Sequence, residues 1–286
     1  MSDMNMLPEH SPEHELVRRG LTKPELIRLM VAYHGLVTKV KDKYYKGPRC
    51  LAYVRHLIRA LRYDNDLCEV RRRLGNARVL QEDLIPLLIY FNDDIPLRND
   101  IIRLLVNFTQ PVILLFCKSH GHKDPATAKC MIQVSQYLQQ YKKEFTVERV
   151  MNVLGSILAE LCGKDREDHD DDDDIIIDRI LLLFRNILHI PSDPAEEKRT
   201  DDDVDAHGQI IWNLHINGIF ELLLFVGSNP NKTQWCIHVL EIVFLLLREQ
   251  TPSNLATADV LVQVAQSFAE RQNDEKLVVW GNMLYM

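Results

Sequence analysis

Glycine is scarce in this sequence, with 11 among 286 residues, and runs that alternate apolar with polar side chains over strand length are few. Both absences argue against a fold of sheets and tight turns. No apolar run is long and charge-free enough to cross a bilayer, because the most apolar stretch carries Asp178, Arg179 and Arg185. No membrane association is expected. Met1 to Glu15 is polar, contains Pro8 and Pro12, and lacks the basic start and apolar centre of a secretory leader. Residues 1–20 are expected to be a disordered N-terminal segment. Paired cysteine spacings are missing as well. Cys50, Cys68, Cys117, Cys130, Cys162 and Cys236 are scattered, most within helical apolar patterns. They read as reduced core thiols of a cytosolic or nuclear protein. The sequence contains no G-x-S-x-G, no glycine-rich phosphate loop and no H-E-x-x-H. No enzyme and no cofactor are expected.

What is present is leucine, isoleucine and valine at helical spacing almost everywhere. Thr22, Pro24 and Glu25 open a first helix, Leu21 to Thr38. Lys39 to Pro48 reads as a basic loop. Cys50 to Tyr63 is a helix with Leu51, Val54, Leu57, Ile58 and Leu61 on one face. Asp66 is the expected cap of the next helix, which stops at Gly75. Val79 to Phe91 follows, with a bend or break at Pro86. Further helices are expected over Pro96 to Gln110, Val112 to Cys117, Ala126 to Tyr141 and Val147 to Cys162. Two acidic loops, 163–174 and 192–205, flank a nearly all-apolar helix that stops at Pro191. Such a helix must be buried on more than one side, and the Asp170 to Asp174 run suits its N-terminus. Asp203 begins another helix, Gly218 marks a joint, and Ile219 to Val226 is short and apolar. Lys232 to Gln250 and Asn254 to Arg271 complete the series.

Three apolar helices end on proline, at Pro111, Pro191 and Pro252. The first two carry an asparagine, Asn107 and Asn186, four or five residues earlier. The intervals are unequal, so no strict repeat exists. The pattern fits a degenerate all-α, armadillo/HEAT-like helical-repeat solenoid over residues 21–286, its inner helices buried. Asn107 and Asn186 either tether neighbouring backbone or serve as plain helix C-caps.

Charge is unevenly spread beneath a net −7. From Lys39 to Arg78 twelve Lys or Arg face only four acidic residues, Asp42, Asp64, Asp66 and Glu69. Arg55, Arg59 and Arg62 fall on one helix face. With Arg71, Arg72, Arg73 and the loop residues Lys39, Lys41, Lys43 and Lys46, they are the candidate contacts to a polyanion. A solvated face whose arginines pair with nearby carboxylates fits the same residues.

Other clusters are weaker. Cys117, His120, His122 and Cys130 hold metal-ligand types, but at a spacing that matches no standard zinc finger. The Asp170 to Asp174 run lacks the Gly and late Glu of an EF-hand loop. His189, His207, His215 and His238 read as structural histidines, with His189 placed as a cation at a helix C-terminus. Trp212, Trp235 and Trp280 read as core or interface aromatics.

Four segments, Leu80 to Leu88, Ile102 to Pro111, Asp178 to Pro191 and His238 to Val243, resemble the N-terminal region of the Timeless family. They stand in the family's order, with its acidic loop after the third (Asp201-Asp202-Asp203, then Ala206-His207). The resemblance covers Leu36 to Pro252. It implies an all-α solenoid without catalytic activity that works in the nucleus as part of the replication-fork protection complex. That complex pairs with the small partner Tipin and travels with the replicative helicase and other replisome components on duplex DNA. It supports fork pausing, checkpoint signalling and cohesion. Two alternatives remain open, a clock protein acting through protein–protein contacts and a generic helical-repeat adaptor. Family members are several times longer, so the chain is expected to be a fragment or short form.

Overall fold

The computed structural model describes residues 20–116, 124–164, 169–191, 205–229 and 232–248. It divides into two compact units, Met1–Phe145 and Thr146–Met286. Among the described residues both units are helical, apart from one two-stranded ribbon. The all-α helical-repeat class expected from periodicity therefore holds.

In the first unit, α1 (Lys23–His34) begins as its sequence dictates. The Thr22 side chain accepts from the Glu25 N–H, the Glu25 carboxylate accepts from the Thr22 N–H at 2.8 Å, and Pro24 occupies the first turn. The helix stops at Gly35 instead of reaching Thr38. The expected basic loop is a hairpin of β1 (Val37–Val40) and β2 (Lys43–Lys46). Val, Thr and Tyr favour a pleated ribbon. Its two-residue link is Lys41-Asp42 in place of the usual Asn-Gly, and Lys41 takes the left-handed conformation at φ 54.

Helix α2 (Cys50–Arg62) buries Val54, Leu57, Ile58 and Leu61 at three- and four-residue steps. The cap of α3 (Glu69–Asn76) differs from expectation. The Asp64 carboxylate accepts from the Val70 and Arg71 N–H groups at 2.8 and 2.9 Å, and the Asn65 side chain accepts from the Glu69 N–H at 3.1 Å. Cys68 enters the helix left-handed at φ 51, and that turn folds the earlier residues, not Asp66, over the helix start.

The break expected at Pro86 is a π-helical segment, Leu80–Leu84, running into α4 (Ile85–Tyr90). Proline supplies no N–H to the turn before it, and the wider winding accommodates that loss. Helix α5 (Ile95–Phe108), capped by Asp94, is packed along α2. Ile101, Ile102, Leu104, Leu105 and Phe108 are wholly buried. The short α6 (Val112–Leu115) follows Pro111, and α7 (Pro125–Glu144) crosses α3, where Gly75 admits the Tyr137 ring. A Cβ at Gly75 would lie 2.5 Å from that ring.

In the second unit, α8 (Glu148–Cys162) precedes α9 (Asp171–His189), the apolar helix that stops before Pro191. Asp171 to Asp174 form its first turn, so the expected loop 163–174 ends at Asp170. Asp170 and Asp173 make a reciprocal capping box. Burial alone would raise Asp173 and Asp174, yet Lys164 beside the first and Lys232 with His169 beside the second hold both below the usual carboxylate range. Helices α10 (Ala206–Ile216), capped by Asp205, and α11 (Ile219–Gly227) meet at Gly218, whose φ of 66 explains the expected joint, while Asp203, the expected helix start, lies outside the described residues. Helix α12 (Thr233–Leu247) packs on α9. Arg185 of α9 pairs with Glu241 at 2.7 Å, and Asp178 with His238 at 3.2 Å. Burial, with Arg248 and Arg185 nearby, lowers the His189 pKa. The neutral ring is favoured, in place of the cation expected at this helix end. The helix expected over Asn254 to Arg271, and the N-terminal segment 1–19, lie outside the described residues. Among the described residues no single helix is long and apolar enough to cross a membrane, and the α10–α11 pair that reaches the length together is bent by 76°.

Candidate nucleic-acid interface

The ten basic candidates are sorted by their neighbours. Arg71 is only 4% exposed, and its guanidinium donates to the Asn107 carbonyl at the end of α5. Burial pulls its pKa down, while Cys68, Asp64 and Tyr141 oppose the shift. It is a structural cation rather than a polyanion contact. The Arg72 Nε donates to the Leu67 carbonyl at 2.9 Å, and a terminal nitrogen donates to Gln133 at 3.2 Å. Arg73 grips Glu69 through two nitrogens at 2.8 and 3.1 Å. Both line a cleft of about 450 Å³ between α1 and α3, against Leu26, Leu29 and Tyr33. The Arg71-Arg72-Arg73 run is therefore split, Arg71 buried and Arg72 with Arg73 at the cleft.

Lys46 pairs with Asp94 at 2.6 Å, and Arg55 with Asp100 at 2.7 Å. Both carboxylates belong to the start of α5, six residues apart and so about 9 Å along its axis. The helix thus fixes the hairpin base and the α2 stripe to one support. What these two pairs leave exposed is Lys39, Lys41 and Lys43 on the hairpin and Arg59 and Arg62 on α2. None of these five has an ion pair among the described residues. Lys39 lies over the Tyr44 ring at 5.3 Å and Arg62 over Tyr63 at 6.0 Å, which holds each chain without neutralising it.

Arg49, before α2, and Arg28, on α1, are further exposed cations of the first unit. Burial first, and then the nearby Arg59 and Arg28 charges, lower the His56 pKa. Exposed cations attract phosphates without reading sequence.

Asn107 is neither a tether nor a simple cap. Its Nδ2 donates to the Arg103 carbonyl of its own helix at 3.1 Å, and Arg71 makes the inter-helix link. Pro111 starts α6, whereas Asn186 is buried in α9 and Pro191 follows that helix. Cys130 is packed with Cys68, Phe116 and Val134, while Cys117, His120 and His122 lie outside the described residues. The described cysteines are free thiols, with Cys236 exposed.

Among the described residues, packed helices and one exposed basic hairpin define an all-α helical-repeat protein. The sequence model of the Timeless protein family matches residues 43–278, and the chain belongs to that family. It is 45% identical over 215 residues to the human "Protein timeless homolog", a match covering 75% of this chain and 18% of that protein. It is 44% identical over 213 residues to the mouse homolog, covering 74% and 18%. It is also 27% identical over 235 residues to "Topoisomerase 1-associated factor 1" of Coccidioides immitis (strain RS), covering 77% and 20%. The chain thus spans less than a quarter of the length of these relatives.

Proposed function

We propose that this chain is a non-enzymatic scaffold of the replication-fork protection machinery in the nucleus and that its first unit meets duplex DNA. Five exposed cations, Lys39, Lys41, Lys43, Arg59 and Arg62, without ion-pair partners among the described residues of a Timeless-family chain, are the observation that carries this reading. Lys and Arg on a rigid surface supply phosphate affinity that does not depend on sequence. The proposed partners are a Tipin-like protein, the replicative helicase and neighbouring replisome components. The name of the fungal relatives, which associates them with a DNA topoisomerase, supports a place among proteins that handle duplex DNA. Identity to the human homolog exceeds the 29% found with the Drosophila melanogaster protein, which favours the replication branch over the insect clock branch.

The test is duplex binding by the whole chain at low salt. Arg59→Glu with Arg62→Glu is the informative variant, since Arg55 already serves Asp100 and reversing it would disturb α5. The double variant should lose most of its duplex affinity with an unchanged circular-dichroism spectrum. Absence of duplex binding by the parent chain at low salt would remove the reading.

A further inference from the structure

The hairpin has two unlike faces. In an antiparallel pair, directly opposed residues share a face. Val37 opposes Lys46 and Lys39 opposes Tyr44, whereas Thr38 opposes Tyr45 and Val40 opposes Lys43. The first set is docked. Tyr44 stacks on Tyr90 of α4 with ring centroids 5.0 Å apart, and Lys46 lies over Phe91 at 5.9 Å while pairing with Asp94. The second set is turned outward, and all four of its residues are exposed. Val40 is 52% exposed and Tyr45 53%, as diagonal neighbours on this open face.

This arrangement reverses what stability alone would select. A ribbon that rests one face on a core normally turns polar residues outward. Lysines here keep the ribbon edges from pairing with another strand, but Val40 and Tyr45 add nothing to that role. The mount is also stiffer than a free ribbon needs. The Gly47 N–H donates to the Leu36 carbonyl at 2.9 Å and closes the base. A Cβ at Gly47 would lie 2.0 Å from the Gly35 carbonyl oxygen, so no larger residue fits there without a backbone shift.

We infer that the hairpin is a ribbon that seats in the major groove of duplex DNA, an inference that rests on the duplex-binding reading above. Two strands about 4.8 Å apart with their side chains match a groove about 12 Å wide. Lying face-on, the ribbon turns the Thr38, Val40, Lys43 and Tyr45 side chains into the groove. Lys41 at the tip and Lys43 on the open face meet the flanking phosphates. Val40 and Tyr45 face the base edges, where thymine methyls offer apolar contact. Asp42, the acidic residue at the tip, can accept only from a donor such as the cytosine amino group, which also faces this groove.

The experiment uses the full 286-residue chain and a 20-base-pair duplex labelled for fluorescence anisotropy, over a series of salt concentrations. Lys41→Gln with Lys43→Gln should reduce the log–log salt slope by about 1.8, from about 0.9 per lost phosphate contact. Val40→Thr with Tyr45→Ser should weaken binding about tenfold at an unchanged slope, because it removes contacts to bases and none to phosphate. Dimethyl sulfate, which attacks guanine N7 in the major groove, should find the bound site protected. If both hairpin variants bind like the parent chain while Arg59→Glu with Arg62→Glu loses binding, the ribbon inference falls and the duplex reading stands. Unprotected guanine N7 would also overturn the ribbon, as would a Val40/Tyr45 variant impaired only on single strands. If the parent chain binds no duplex at low salt, both fall. Should the Val40/Tyr45 variant fail to fold, the surface lysine pair and the protection experiment still decide.

Discussion

Of three adjacent arginines, Arg71 is buried, whereas Arg72 and Arg73 line one cleft. Consecutive residues on a helix are about 100° apart, so a run of like charges cannot occupy one face. Arg71 points inward and links α3 to the end of α5 through the Asn107 carbonyl. Replacing it with methionine keeps length but removes that link, and Asp64 then loses its nearest buried cation. Arg71→Met should lower unfolding stability by about 2 kcal/mol, the scale of losing a hydrogen bond made by a charged group. Duplex affinity of the folded variant should remain that of the parent chain. Thermal melting and anisotropy on the same sample check both halves, and a selective loss of affinity would return Arg71 to the interface.

Elements carry the pH response. The π-helical segment Leu80–Leu84 holds Asp83 in a place where burial, with Glu82 adding to it, pushes the carboxyl up to about 7. The folded state therefore keeps this proton after the unfolded chain has released it near pH 4. The stabilising contribution is fully present below pH 4 and is lost as pH rises through about 7. Asp83→Asn removes the titration. It should flatten the stability profile between pH 4 and 7 and raise stability at pH 7.5 by on the order of 2 kcal/mol. Urea unfolding at three pH values measures it, and an unaltered profile would show that Asp83 is ionised in the folded protein. The same element scale explains the hairpin. β-Branched and aromatic residues in Val37 to Lys46 carried a strand signal, but Lys-Asp stood where Asn-Gly would announce a turn. The lysines that alternate with Tyr44 and Tyr45 make the segment resemble a solvated loop, although pairing puts Tyr44 inward and Tyr45 outward.

At the scale of the whole molecule, a chain of net charge −7 is proposed to meet a polyanion. Repulsion from the acidic remainder is screened over about 10 Å at 0.1 M salt, so a local basic field can still act at contact distance. Five cations bound to phosphates give a salt slope near −4.5 and roughly a 500-fold loss of affinity between 50 and 200 mM salt. A slope near zero would mean that the contacts are not electrostatic. Within the first unit, Asp94 and Asp100 are engaged by Lys46 and Arg55. The exposed carboxylate beside the hairpin lysines is Asp42, between Lys41 and Lys43, one negative charge against two positive ones.

The amino-acid sequence by itself determined the helices, because their signals are local. Thr22, Asp170 and Pro191 mark ends through backbone hydrogen bonds a few residues away, and Leu and Ile recur on the faces that end up buried. It also carried the family membership, through long apolar helices matched in order. Only the tertiary structure decided which cations are available. Asp94 and Asp100 lie some 45 residues from the Lys46 and Arg55 they neutralise, and Asn107 lies 36 residues from the arginine that reaches it. Burial and pairing depend on neighbours brought together by packing, and no periodicity within one segment encodes them. The same packing, Tyr44 against Tyr90 and Gly47 against Gly35, fixed which face of the hairpin is open.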